Sequence, residues 1–225
     1  LFDTSYTIEL WLKHDGNSDE DAYILTRNNG SNGYVLSLDG SGETPPLRFG
    51  TFRASSSVTS NSGIPPEQWT HVAITYDANG DTHRLYINGQ LDATRSGASG
   101  PREIDGKLWI GSVAGGSSNF LSGQIDNLRS WNRARSRDEI RAGLLSEVVG
   151  NEESLLAAWR FDENSGPTYS TTGRRLTATL QNDAALTTAD RPTRVLPPNE
   201  VVATEDGEET TLTWGDTTGL APTKY

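Results

Sequence analysis

The sequence predicts an all-β protein, a two-sheet antiparallel sandwich carrying one short helix. Three observations predict it. Short segments with apolar residues at alternate positions recur along the chain, the period of strands with one buried face. Clusters of Gly, Asn, Asp and Ser separate those segments, and 23 glycines supply backbone freedom for many turns. A single capping-box pattern marks the one helix.

In chain order, Thr7 to Lys13 places Ile8, Leu10 and Leu12 on one face, with Trp11 on the other. Tyr34 to Leu38 and Arg48 to Phe52 are the next two strands. His71 to Tyr76 and Arg84 to Asn88 follow, separated by the turn-forming run Asp77 to Asp81. Asn88-Gly89 is a type I′ hairpin signal, so residues 71 to 94 read as a three-strand meander. Lys107 to Gly111, Ile125 to Trp131, Leu155 to Phe161 and Leu176 to Leu180 complete the set. Ser136-Arg137-Asp138-Glu139 is the capping box, and Ile140 and Leu144 fall four apart behind it on one helix face. The expected domain spans residues 1–190. Residues 191–198, with Pro192, Pro197 and Pro198, read as a stiff linker. Residues 199–225 hold two strands of a partial Ig-like β segment, Val201 to Ala203 and Thr210 to Trp214.

Charge and composition remove whole classes of function. A net charge of −11 argues against nucleic acid and anionic membranes as partners. No apolar run is long enough to insert in a membrane. The absence of cysteine removes disulfides, thiolate nucleophiles and Cys-ligated metals. No leader opens the chain, and Leu1 starts at the approach to a strand, as in a fragment of a longer polypeptide.

Four segments in order carry a family resemblance. They are Tyr6-Thr7-Ile8-Glu9-Leu10-Trp11; Trp69 to Asp77 with Leu85-Tyr86-Ile87-Asn88-Gly89; Phe120 to Arg133 with the capped helix; and Trp159 to Gly166. Together they resemble laminin G-like and pentraxin-like domains over about residues 1 to 187. The resemblance implies a concanavalin A-like jelly roll and a module that binds glycan, protein or calcium. It also implies a first strand just before Phe2, which is missing or truncated here. Residues 197 to 225 resemble the start of a fibronectin type III domain, with Trp214 entering its core.

Candidate sites follow. Asp15 to Asp21 has oxygen side chains at alternate positions, but Glu20 and Thr26 stand where a calcium loop needs Gly and Glu, so it reads as a solvated acidic turn. A pentraxin-type calcium site needs acidic residues after Gly111, where Ser112 to Gly116 stand instead. Calcium is the cofactor that the resemblance brings, with Asp126, Asp162 and Asn164 as candidate ligands. The favoured alternative makes Asp126 and Asp162 acceptors of backbone hydrogen bonds. For glycans, Leu108 and Ile110 should face the core, which turns Trp109 to the opposite sheet face. Tyr34, Phe52, Arg53 and Tyr86 are expected to share an exposed face with it, whereas Trp69, Trp131 and Trp159 are expected in the core.

Catalysis fits poorly. No Glu-x-Asp-x-Glu strand supplies the carboxylate pair, about 5 Å apart, of a retaining glycosidase. His14, His71 and His83 have no Ser/Asp partners by motif, and Glu205 to Glu209 lies in a turn. The expectation is a non-catalytic module of a secreted or cell-surface, bacterial, multidomain protein. It would bind glycan or protein in adhesion, or build a fibre or stalk by pairing with copies of itself. An accessory role in polysaccharide degradation is the distant alternative.

Overall fold

The computed structural model describes residues 4–16, 21–40, 42–51, 56–101, 105–163, 168–172, 176–181, 183–187 and 192, with the strands at 201–206 and 209–214. Strand β1 (Tyr6–His14) sits inside the larger sheet and alternates as its sequence demands. Ile8, Leu10 and Leu12 are buried between the sheets. Its neighbours are β6 (Thr70–Asp77), in register Ile8↔Ile74 and Leu10↔Val72, and β10 (Gly123–Trp131). With β7 (Thr82–Ile87), β8 (Gln90–Ser96) and β11 (Leu155–Trp159) they form a six-stranded sheet of order β11-β10-β1-β6-β7-β8.

A five-stranded sheet of order β5-β4-β3-β2-β9 faces it. It comprises β2 (Ala22–Asn28), β3 (Gly33–Leu38), β4 (Pro46–Thr51), β5 (Ser56–Gly63) and β9 (Trp109–Ile110). Leu25, Leu36, Leu38, Leu47, Phe49 and Val58 meet the first sheet in one core. Each such fully buried side chain contributes about 1.5–3 kcal/mol. A two-stranded ribbon of β12 (Thr168–Tyr169) and β13 (Thr177–Ala178) follows β11. Strands β14 (Val201–Asp206) and β15 (Glu209–Trp214) pair as a hairpin.

Strands β2 and β5 escape the sequence reading. A bulge between Tyr23 and Leu25 breaks the alternation of β2, and Val58 is the one large apolar residue of β5. The predicted strand at residues 107–111 shrinks to two paired residues, and that at 176–180 to two. The linker lies outside the described residues apart from Pro192.

The helix α1 (Arg137–Leu145) is capped as the sequence predicts. Glu139 N–H donates to Ser136 Oγ at 3.3 Å, and Ser136 N–H donates to Glu139 Oε2 at 2.8 Å. Fully buried Ile140 packs on Ala73 and Tyr86, so the helix covers the outer face of the larger sheet. Arg129 donates to the carbonyls of Gly143 (3.0 Å) and Ser146 (2.8 Å), satisfying acceptors that every helix C-terminus leaves open. Beneath it, buried Glu9 accepts from Trp131 Nε1 at 3.0 Å and Arg135 Nη1 at 2.6 Å. The β7–β8 turn fits under the helix only as glycine. Asn88 and Gly89 both have positive φ, 50° and 73°, as a type I′ turn requires. A Cβ on Gly89 would lie 2.7 Å from Arg141 Cγ.

Candidate functional site

The two sheets are unequal, and the inequality makes a groove. Strand β9 is two residues long, so the inner faces of β10 and β11 extend past the covering sheet. The opening between them has a volume of about 1490 Å³. Ile8, Leu25, Leu128 and Ala157 from the core form its floor. Leu108, Ile110, Leu121, Ile125 and Phe161 are half-buried walls packed against that core. Phe120, Leu176 and Leu180 lie exposed along the rim. Polar character comes from Arg27, Lys107, Ser130, Thr168 and Asp183.

Trp109 borders this groove, half-buried. Its strand pairs Ile110 with core-facing Leu25 and Trp109 with Thr26. The indole lies over Gly116, where a Cβ would come within 2.9 Å of the ring. Of the residues expected to share an exposed face with it, Tyr34 and Tyr86 are buried. Tyr34 alternates with Leu36 and Leu38 and points into the core, 4% exposed and stacked on Phe49 at 5.8 Å between centroids. Burial pushes its phenol up to about 12. Its ring still reaches the inner end of the groove. Tyr86 faces outward from the other sheet, but α1 covers it and leaves 5% exposed. Phe52 and Arg53 lie outside the described residues. Trp11 is likewise buried, edge-on to His71.

Two of the three candidate metal ligands lie among the described residues. Asp126 is buried, and its Oδ1 accepts from the Asn127 backbone N–H at 2.7 Å. Asp162 pairs with Arg160 at 2.6 Å. Asn164 lies outside the described residues. Among the described residues no three His, Asp or Glu side chains converge as a metal site would require.

Trp159 is buried in the core, as expected, whereas Thr168 was not singled out in the sequence. Trp159, paired with core-facing Leu128, is 8% exposed, and its indole N–H meets no acceptor. Thr168 is fully buried beside Ala178, and its hydroxyl meets no partner. Both line the groove. Trp69, expected in the core, is half-buried and lines it too. Trp69, Trp109, Phe120 and Trp159 are far apart in sequence, so no local pattern announces them as neighbours.

These features define a jelly roll whose inter-sheet edge is open and lined with aromatic rings. A family model described as the concanavalin A-like lectin/glucanases superfamily matches residues 1–141, and the chain belongs to that superfamily. Among solved structures, a Bacteroides ovatus protein proposed to bind carbohydrate is similar with a TM-score of 0.63 and 22% identity. The match covers 83% of this chain and 56% of that protein, so the chain spans little over half its length. A heptameric SAP-like pentraxin from Limulus polyphemus is similar at a TM-score of 0.48 and 16% identity, over 62% of this chain and 69% of that one. The CBM40 of a Ruminococcus gnavus IT-sialidase, bound to α2,3-sialyllactose, gives 0.48 and 15%, over 62% and 82%. No curated protein matches the sequence. Among the described residues no helix is long and apolar enough to cross a membrane.

Proposed function

We propose that this is a non-catalytic glycan-binding module of a secreted or surface-borne multidomain bacterial protein. The observation that carries it is the groove itself, with half-buried Trp109 and exposed Phe120 beside Lys107 and Arg27. Sugars present apolar C–H faces and polar edges, and such sites combine aromatic surface with a few placed polar groups. The composition of the lining favours binding over cleavage. Among the described residues it includes Asp126 and Asp183 but no glutamate, and the Asp126 carboxylate is engaged by the adjacent backbone N–H. A glycosidase needs a general acid and a second carboxylate flanking the bond.

A glycan array probed with the wild-type chain and Trp109→Ala tests the reading. Binding to one or more glycans is expected, weakened at least tenfold in the variant. Unchanged binding by Trp109→Ala would remove the groove from the account, and no glycan bound by the wild type would remove the function.

A further inference from the structure

We propose that Gly116 is a positioning residue for glycan binding: it fixes where the Trp109 indole stands at the groove. This rests on the glycan-binding reading and names what holds the ring in place. Both residues line the groove, and each is half-buried. Strand β9 is two residues long, so few sheet neighbours flank Trp109. The loop that follows supplies the support instead. It closes on itself, with Leu121 N–H donating to Gly111 O at 2.9 Å. It is also tied to β2, where Gly111 N–H donates to Ile24 O at 2.9 Å and Tyr23 N–H donates to Asn119 O at 3.0 Å. Asn119 Nδ2 donates to Asp21 O at 2.9 Å. Within the loop, Gly116 N–H donates to Val113 O at 2.9 Å and Val113 N–H donates to Ser118 O at 3.2 Å. The bend held by these bonds sets Gly116 against the indole.

The fit leaves no room for a side chain. A Cβ on Gly116 would lie 2.9 Å from Cζ3 of Trp109, 3.5 Å from Cε3 and 3.8 Å from Cη2. Carbon atoms in contact prefer about 3.5–4.0 Å, so a methyl group there must displace the ring or the bend by roughly half an ångström. The bend is hydrogen-bonded on both sides, whereas the ring borders an open groove, so the ring gives way. A binding group has to be held to within about 0.5 Å of its productive position, so the displaced indole binds less well. Gly115 separates this effect from backbone strain. Its φ of 103° lies further from the left-handed region open to L-residues than the 69° of Gly116, yet nothing lies within 4 Å of a Cβ there. Strain alone would make Gly115→Ala the more harmful change, whereas the ring contact singles out Gly116→Ala.

Gly115→Ala and Gly116→Ala, each made in the wild-type chain and in Trp109→Phe, test this on a printed glycan array and by melting curves. Trp109→Phe keeps an aromatic ring but lacks Cζ3 and Cη2. On glycans whose binding falls at least tenfold in Trp109→Ala, Gly116→Ala should weaken binding at least fivefold and Gly115→Ala less than twofold. In the Trp109→Phe background Gly116→Ala should weaken binding less than twofold further. Gly116→Ala should also lower the melting temperature more in the wild-type chain than in Trp109→Phe, because residues in contact are not additive, whereas Gly115→Ala should lower it equally in both. A Gly116→Ala chain that folds only in the Trp109→Phe background supports the contact as well. Glycan binding that Gly116→Ala leaves unchanged, or that Gly115→Ala and Gly116→Ala weaken alike, overturns this inference and leaves the glycan-binding reading intact. An equal effect of Gly116→Ala on melting in both backgrounds does the same. Absence of binding to every glycan overturns both.

Discussion

At the scale of single residues, two buried histidines govern how the protein responds to acid. His71 lies under Trp11 and near Arg129 and Arg135; burial first, and then those two guanidinium groups, lower its pKa to about 3. His83 is held to about 4 by burial, against an opposing pull from Asp81, and its Nε2 lies 3.0 Å from the Tyr6 hydroxyl. Both folded-state values lie below the value of about 6.5 for an exposed histidine. Between these values the unfolded chain binds more protons than the folded one, so stability rises with pH there. The contribution is complete above about pH 6.5 and is lost as pH falls towards 4 for His83 and 3 for His71. Each histidine adds a slope of up to about 1.4 kcal/mol per pH unit. Urea titrations at pH 6.5 and 5.0, where carboxylates contribute less, should show this loss. Replacing either histidine by Gln should flatten the slope; an unchanged slope would mean that the ring is protonated in the folded state.

At the scale of elements, the start of α1 was legible because it is encoded locally, whereas its seat on the outer face of the larger sheet was not. Ser136 and Glu139 are three residues apart, and the structure contains both reciprocal bonds. Ser136→Ala should cost about 1 kcal/mol. For a domain of this size the melting temperature should fall by about 2–4 °C. Ser136→Asp should restore it, since the carboxylate also accepts from the N3 amide. No fall on Ser136→Ala would show that Arg129 and Ile140 hold the helix without its cap. Strands were legible where hydropathy alternates, as in β1, β6 and β7. They were not where a bulge resets the pattern, as in β2, or where Ser and Thr fill both faces, as in β5. Hydropathy also misjudged Tyr34, since a tyrosine among Leu36 and Leu38 follows their parity into the core whatever its hydroxyl suggests. Tyr86 was legible as facing away from Leu85, but not that a helix some 50 residues later would cover it.

At the scale of the whole molecule, the groove exists because one sheet falls short of the other. That mismatch joins β9, β10, β11 and the ribbon of β12 and β13, elements spread from residue 109 to residue 178. Periodicity within a strand says nothing about where two sheets cease to overlap, which is why the groove as a whole was not legible in the sequence. Occupation of the groove should stabilise the fold as a unit. A glycan at a hundred times its dissociation constant adds about 2.7 kcal/mol, visible as a concentration-dependent rise in melting temperature. For an uncharged sugar the rise should persist at high salt, even though the protein carries a net charge of −11. A rise abolished by salt would place the ligand on surface charges outside the apolar groove.

The glycine of the Asn88–Gly89 turn ties the hairpin and the helix into one unit of inheritance. Any side chain at position 89 is strained by its φ of 73° and would also collide with Arg141. A variant that relaxed the turn would have to re-seat the helix in the same step, and a helix shifted for any other reason would lose its fit to the turn. Drift at either place is therefore held in check by the other. Sequence diversity, whether natural or introduced in the laboratory, is expected to be low at both places together.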